Sequence, residues 1–427
     1  MYNIEKTAIK KRGSVRERMR MFHISDLHIG KQLHAYNLYQ SQRDVLGQIV
    51  EQAKEKRPDV ILIAGDIYDK AAPSGEAYEL FDWFLSELAG IMPMIPVLII
   101  AGNHDNAQRL KFASGFLKRH QIYVATMPPR TEEEHIQKIV LQDTYGEVNF
   151  YLLPFTKPGY VRQLVAEEKE ALSYDEAIKR LLDREQIDLT KRNVLLSHQF
   201  YVANGQGPEK SDSELTYISV GGLDSIDIAH VQKFDYVALG HIHKPQQMGE
   251  SHIRYCGTPY KYSVSEERDK KGILMVELGE KGSENQYERI PLIGNPDVRS
   301  IKGTMQEVLE AATEENRQDY VSITLTDDDV FHAKETLEEV YPHILEIHVD
   351  NERTRKRLEQ TVGKKKALTP MEAFMSFYQE MNDVPLSAEE ETVMLEVLKE
   401  AQEEMQEKSR KICERLAASD WYHNSAV

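Results

Sequence analysis

The chain has 427 residues, with 53 Lys+Arg against 70 Asp+Glu, a formal charge of −17 and a mean hydropathy of −0.53. That length suggests two or three domains, and the two cysteines, Cys256 and Cys413, exclude a disulfide framework or a thiolate-rich zinc site. The longest apolar stretch, residues 91–101, is broken by Pro93 and Pro96 and is too short to span a bilayer. No signal-peptide core opens the chain, so a reducing cytoplasm is the expected compartment, with no membrane association.

The acidic balance argues against a surface covered in nucleic-acid-binding charge but leaves room for a local site. The first 20 residues carry seven cations (Lys6, Lys10, Lys11, Arg12, Arg16, Arg18 and Arg20) and no period. They read as a disordered tail, as a nucleic-acid arm, or as residues ahead of a true start at Met19. From Met21 the pattern is α/β. Strand-length apolar runs at 21–24, 60–64, 97–101, 148–153, 194–196 and 236–239 alternate with helical spacing, clearest at 39–53 and 78–88. Residues 161–192 are charged and read as helical, and 205–213 as a loop. From about Glu277 a small separate α/β unit is expected, with strands at 287–293, 320–325 and 344–349 and helices at 305–312 and 331–340. A basic stretch, 353–366, then precedes Thr369-Pro370-Met371-Glu372, a helix start, and a second helix is expected from Ser387.

The chemistry is concentrated where strands end. Five apolar runs finish in a residue able to ligate metal: Asp26-Leu27-His28, Asp66, Asn103-His104-Asp105, His198 and His241-Ile242-His243. In an open α/β sheet the carboxyl ends of strands line the ligand crevice, so these side chains are expected to converge. The donor set is Asp26, Asp66 and Asn103 with the imidazoles of His28, His198, His241 and His243. So mixed a set suits Mn²⁺, Fe²⁺ or Zn²⁺ better than Mg²⁺, which prefers oxygen and water. Seven ligands exceed one tetrahedral ion but suit two ions, roughly 3.5–4 Å apart, that share a carboxylate. Asp66 is the natural bridge. The reaction implied is phosphoester hydrolysis, with His104 stabilising the transition state or protonating the leaving oxygen. Gly65, Gly102 and Gly240 precede ligands and permit close backbone approach. His23 reads as a packed core histidine, and Asp69 and Asp105 as supporting or turn residues. A lone Asp-x-His or His-x-His carries little weight; the ordered set of five carries the signal.

These motifs resemble those of the calcineurin-like metallophosphoesterase superfamily, with no ligand missing from Asp26 to His243. Within it, residues 22–30 (FHISDLHIG), 65–74 (GDIYDKAAPS), 103–110 (NHDNAQRL) and above all 255–263 (YCGTPYKYS) followed by Ser265-Glu266 are similar to the SbcD branch of Mre-type repair nucleases. The resemblance implies a β-sandwich flanked by helices over 19–276, following the basic extension 1–18. It also implies a small α/β capping domain that steers DNA over 277–350, and a linker with C-terminal helices over 351–427. It further implies one metal on Asp26, His28, Asp66 and His243 and a second on Asp66, Asn103, His198 and His241, with Mn²⁺ preferred and His104 catalytic. The expected partner is an SbcC-type coiled-coil ATPase docked on the C-terminal helices, the chain being a homodimer within a heterotetramer. The expected substrate is DNA, cut as an ATP-dependent double-strand exonuclease and a single-strand or hairpin endonuclease in repair and recombination, at the nucleoid.

A nuclease indifferent to sequence should hold phosphates, and Lys31, Arg109, Lys111 and Lys261 lie near the motifs as candidate DNA contacts. The alternatives are a phosphodiesterase for a small substrate and a non-catalytic scaffold for the ATPase. Residues 255–266 and the two extra regions argue against the first, and the intact ligand set against the second.

Overall fold

The computed structural model describes residues 17–166, 172–217, 224–330 and 332–355, with isolated stretches between 371 and 398. The described residues up to Val349 form one compact unit. Its centre is a sandwich of two six-stranded sheets. The first runs in the order Gln286–Pro291, Gly272–Leu278, Met19–Ile24, Val60–Ala64, Val97–Ile100, Ile122–Ala125. Its last four strands are mutually parallel. The second runs Gln246–Met248, Glu250–Tyr255, Tyr236–Leu239, Arg192–Ser197, Gly146–Leu153, Gln137–Asp143, with the middle four parallel.

The strands are continuous apolar runs because both of their faces are buried. Alternate residues point to opposite sides. Met21, Val60, Leu62, Leu98 and Ile100 of the first sheet meet Val148, Phe150, Val194, Leu196 and Ala238 of the second in the central core. Phe22, Ile61, Ile63, Val97 and Ile99 face outward to helices Tyr39–Lys56 and Gly75–Ala89, which bury Val45, Ile49, Leu80 and Phe84. On the far side, Leu195, Val237 and Leu239 pack on Ile178 and Leu181 of helix Tyr174–Asp183. The second of the two helices over the first sheet begins at Ser74, whose side chain accepts from the Ala77 amide. The architecture is thus the helix-flanked sandwich expected from the sequence. Among the described residues no helix is long and apolar enough to cross a membrane.

A third sheet, Val298–Gly303, Tyr320–Leu325 and Ile344–Val349, is parallel throughout and carries its own core of Val308, Val321, Ile323, Leu337 and Tyr341. The strand read at 287–293 does not belong to it. Residues Gln286–Pro291 pair antiparallel with Gly272–Leu278 and extend the first sheet. The small sheet is tied to the sandwich by Lys261–Asp297 at 2.9 Å, and Tyr36 donates to the Ile344 carbonyl at 3.2 Å. The Ser300 hydroxyl adds a short bond to Glu267. Gly272–Leu278, Gln137–Asp143 and Glu250–Tyr255 are strands as well, which the sequence pattern does not mark.

In the second unit, residues 350–427, the described stretches are partial. Ser387 caps the helix that follows, its hydroxyl accepting from the Glu390 amide while Glu390 accepts from the Ser387 amide. Residues 1–16 of the basic extension and the cap at Thr369-Pro370 lie outside the described residues.

Candidate metal centre

The motif residues leave parallel strands of both sheets at one end of the sandwich. Asp26 and His28 follow Met19–Ile24, Asp66 follows Val60–Ala64, and Asn103 and His104 follow Val97–Ile100. His198 follows Arg192–Ser197, and His241 and His243 follow Tyr236–Leu239. The backbone turns abruptly there: Asp26, His28, Asp66 and His241 have φ of 53°, 43°, 50° and 93°. Non-glycine residues held at positive φ cost free energy and cluster at functional sites. Gly65 makes the close approach possible, because a Cβ there would lie 2.2 Å from His198 Nδ1.

All eight residues come together. Asp26, His28, Asp66, His198 and His243 are buried, and Asn103, His104 and His241 are half-buried. Three groups have one donor atom per residue within 4.8 Å of each other: Asp26/His28/His243, Asp26/Asp66/His198 and His28/Asp69/His104. Asp66 Oδ2 is 3.2 Å from His198 Nε2, 3.8 Å from His28 Nε2 and 4.0 Å from His104 Nε2. Asp66 Oδ1 accepts from the His104 amide at 2.8 Å. Both Asp26 oxygens accept from the His241 amide, at 3.0 and 3.1 Å, and the Ser25 hydroxyl donates to Oδ2.

The donor chemistry fits metal ions. His198 Nδ1 donates to the Ala64 carbonyl at 2.7 Å, which turns Nε2 toward Asp66 Oδ2 and toward Asn103 Oδ1, 3.1 Å away. His241 Nδ1 meets the same Asn103 oxygen at 2.9 Å. His28 Nε2 and His243 Nε2 face each other at 3.1 Å. Acceptors brought this close need a cation among them. Without a metal, a proton must serve. Burial alone would lower His198, but Asp66 and Asp26 hold it at about 9, whereas burial brings His241 down to about 3. Burial would likewise raise Asp66, yet His198 and His104 keep its carboxyl well below the usual range.

Several supporting residues escaped the sequence reading. Ser25 links Asp26 to the Cys256 thiol, which lies 2.9 Å from the hydroxyl and keeps its proton because burial pushes it up to about 12. Asp105, read as a supporting residue, accepts from the amides of Ile67, Tyr68 and Gly102 at 3.1, 3.0 and 2.9 Å and clamps two motif loops together. Asp69 accepts from His104 Nδ1 through its carbonyl at 2.7 Å, and its carboxylate pairs with Lys31 at 2.9 Å. His23 is fully buried against Tyr236. Of the four cations proposed for DNA, Lys31 and Lys261 are thus engaged in ion pairs, whereas Arg109 and Lys111 are exposed.

Comparison with known proteins agrees with this geometry. The family model described as calcineurin-like phosphoesterase matches residues 19–245, more than half of the chain. The SbcD subunit of nuclease SbcCD from Staphylococcus epidermidis is 30% identical over 376 residues, covering 86% of this chain and 95% of that protein. The chain belongs to the SbcD family of calcineurin-like phosphoesterases. The corresponding SbcCD subunit from Staphylococcus saprophyticus is 29% identical over 335 residues, 77% of this chain and 84% of that one. A second family model, described as type 5 capsule protein repressor C-terminal domain, matches residues 296–382. Among solved structures, TT1561 of Thermus thermophilus aligns at 13% identity with a TM-score of 0.37, covering 64% of this chain and 99% of that one. As an SbcD-family phosphoesterase the protein is a hydrolase, with the buried Asp/His clusters as its candidate two-metal centre.

Proposed function

We propose that the protein is the nuclease subunit of an SbcCD-type complex, which hydrolyses DNA phosphodiesters at two Mn²⁺ ions. The observation that carries this reading is the position of Asp66 Oδ2, which lies between His28 and His198 while Oδ1 is held by the His104 amide. Asp26, His28, Asp66 and His243 would hold one ion, and Asp66, Asn103, His198 and His241 the other. Two such ions neutralise a phosphate and lower the pKa of bound water. The chain's own residues do the rest. His104 is oriented by the bond from its Nδ1 to the Asp69 carbonyl, so its Nε2 faces the site and delivers a proton to the leaving oxygen as the P–O bond breaks. Arg109 and Lys111, exposed just beyond His104, supply phosphate contacts that carry no sequence information. The small sheet and its helices cap the site and steer DNA, and the helices after residue 369 dock on an SbcC-type ATPase. The family name of the relatives supports the ATPase partner.

The test is cleavage of labelled single-stranded, hairpin and blunt duplex DNA, beside bis-p-nitrophenyl phosphate, with Mn²⁺ or Mg²⁺. His104→Ala should lower turnover about 10²–10⁴-fold, the range for a lost general acid, with metal uptake retained. Unchanged cleavage by that variant would sink the mechanism. Turnover of the small diester with DNA left intact, even when the ATPase is added, would sink the nuclease assignment.

A further inference from the structure

Behind His243 lies a buried polar network that the metal-centre reading does not use. Glu266 is fully buried, and its carboxylate is filled on both oxygens. Oε2 takes Lys271 Nζ at 2.6 Å, with the Thr258 hydroxyl and the Tyr262 amide each at 3.3 Å. Oε1 accepts from the Ser213 hydroxyl at 2.8 Å and also lies 3.3 Å from His243 Nδ1. Lys271 spends its three donors on Glu266, on Asp269 at 3.1 Å and on the His243 carbonyl at 3.0 Å. The Ser213 oxygen in turn lies 2.8 Å from His243 Nδ1.

A hydroxyl has one proton to give. The Ser213 proton goes to the carboxylate, a stronger acceptor than the Ser211 hydroxyl oxygen 2.7 Å away. Its oxygen must then accept from His243, so Nδ1 carries the imidazole hydrogen and Nε2 keeps its lone pair. That lone pair is the one turned toward His28 Nε2 and the Asp26 cluster. We propose that Glu266, through Ser213 and by its own longer contact, is a positioning residue that fixes His243 in the tautomer presented to the metal centre. The inference rests on the metal-centre reading above. His198 and His104 are oriented by backbone carbonyls, through Ala64 and Asp69. His243 is instead oriented by a carboxylate, and this makes its tautomer sensitive to substitution. Partners behind a ligating histidine orient the ring and raise its basicity, and their loss commonly weakens metal affinity about 10–100-fold.

The chemistry of Glu266→Gln makes a sharp test. Lys271 can only donate, so the new amide must turn its oxygen to Lys271 and its NH₂ to Ser213. Ser213 then accepts from the amide and gives its proton to His243 Nδ1. The hydrogen moves to Nε2, where it opposes a metal. Ser213→Ala removes the shorter link and leaves His243 Nδ1 only its 3.3 Å contact with Glu266, and Ser213→Thr keeps the hydroxyl.

The experiment is calorimetric titration of Mn²⁺ into the metal-free full chain. Wild type should show two sites. Ser213→Ala should weaken one of them about 10–100-fold and leave the other, Glu266→Gln should weaken that same site further, and Ser213→Thr should restore it. An unchanged isotherm in Ser213→Ala overturns the proposal. So does equal weakening of both sites, or a loss in Ser213→Thr matching that in Ser213→Ala. The Ser213 variants decide the matter even if Glu266→Gln does not fold. If wild type takes up no Mn²⁺, the metal-centre reading itself fails and this proposal with it.

Discussion

Gly102 offers a direct test of how tightly the backbone encloses the centre. It lies two residues past the strand Val97–Ile100, immediately before Asn103. A Cβ at this position would lie 2.1 Å from Asp66 Oδ1, 2.3 Å from the Asp66 amide nitrogen and 2.7 Å from its carboxyl carbon. Carbon and oxygen settle at roughly 3.3 Å, so Gly102→Ala must drive Asp66 and residue 102 apart by about 1.2 Å. The loops cannot simply separate. Asp105 clamps the Gly102 amide to those of Ile67 and Tyr68, and the Asp66 carbonyl is bonded to the His28 amide at 3.0 Å. Overpacking of this kind costs about 1–3 kcal/mol of stability. An ångström of misplacement in a catalytic group costs about 10²-fold in rate. The expected result is a folded variant with roughly 100-fold lower Mn²⁺-dependent hydrolysis of bis-p-nitrophenyl phosphate, read beside a urea melt. Gly115→Ala is the control, because a Cβ there meets nothing within 4 Å. If Gly102→Ala hydrolyses the diester as fast as the control, the close approach does not position Asp66 and the reasoning from backbone to centre is wrong.

Two further outcomes concern the sandwich itself. Arg192 is 2% exposed and pairs bidentately with Asp143, with further bonds to the carbonyls of Gly146 and Gly279 at 2.9 and 3.0 Å. Asp143→Ala would strand a buried guanidinium, so urea denaturation should show a loss of about 3–5 kcal/mol; a loss below about 1 kcal/mol would mean that the pair behaves as a solvated surface pair. His23 is held neutral by burial, with its pKa brought down from 6.5 to about 3. Its contribution to stability is therefore complete above pH 6.5 and is lost as pH falls from there toward 3, because the unfolded chain takes up a proton that the folded chain refuses. The slope is at most about 1.4 kcal/mol per pH unit. Stability measured between pH 7 and 4.5 should fall less steeply for His23→Gln than for wild type; parallel curves would show that His23 is not a source of acid lability.

The candidate ligands were legible because two constraints coincide in consecutive residues. A strand buried on both faces must be a continuous apolar run, and a crevice at its carboxyl end must begin at the next polar residue. Val60–Ala64 followed by Gly65-Asp66 shows both constraints at once. Pairing was not legible, since it is set by partners far along the chain. Gln286–Pro291 has the same local period whether it joins Gly272–Leu278 or the small sheet. Glu250–Tyr255 carries polar residues that hide its strand pattern. Lys31 and Lys261 stand beside motifs in sequence, but only the fold reveals Asp69 and Asp297 as their partners. Ser213 lies in a short 3₁₀ helix, Asp212–Tyr217, where the sequence pattern suggests a loop, so no local signal marks it.

Residues 255–266 are the instructive case, because they resemble the family closely yet contain no metal ligand. The structure supplies the physical reason. Cys256 touches Ser25 behind Asp26, and Tyr262 donates to the Leu27 carbonyl and sets its ring 5.7 Å from that of His28 and 6.2 Å from that of His243. Thr258 and Glu266 complete the pocket behind His243. The segment thus forms the rear wall of one half of the centre. It must match the ligands in shape and hydrogen bonding, so it can identify a branch of the family without itself binding a metal.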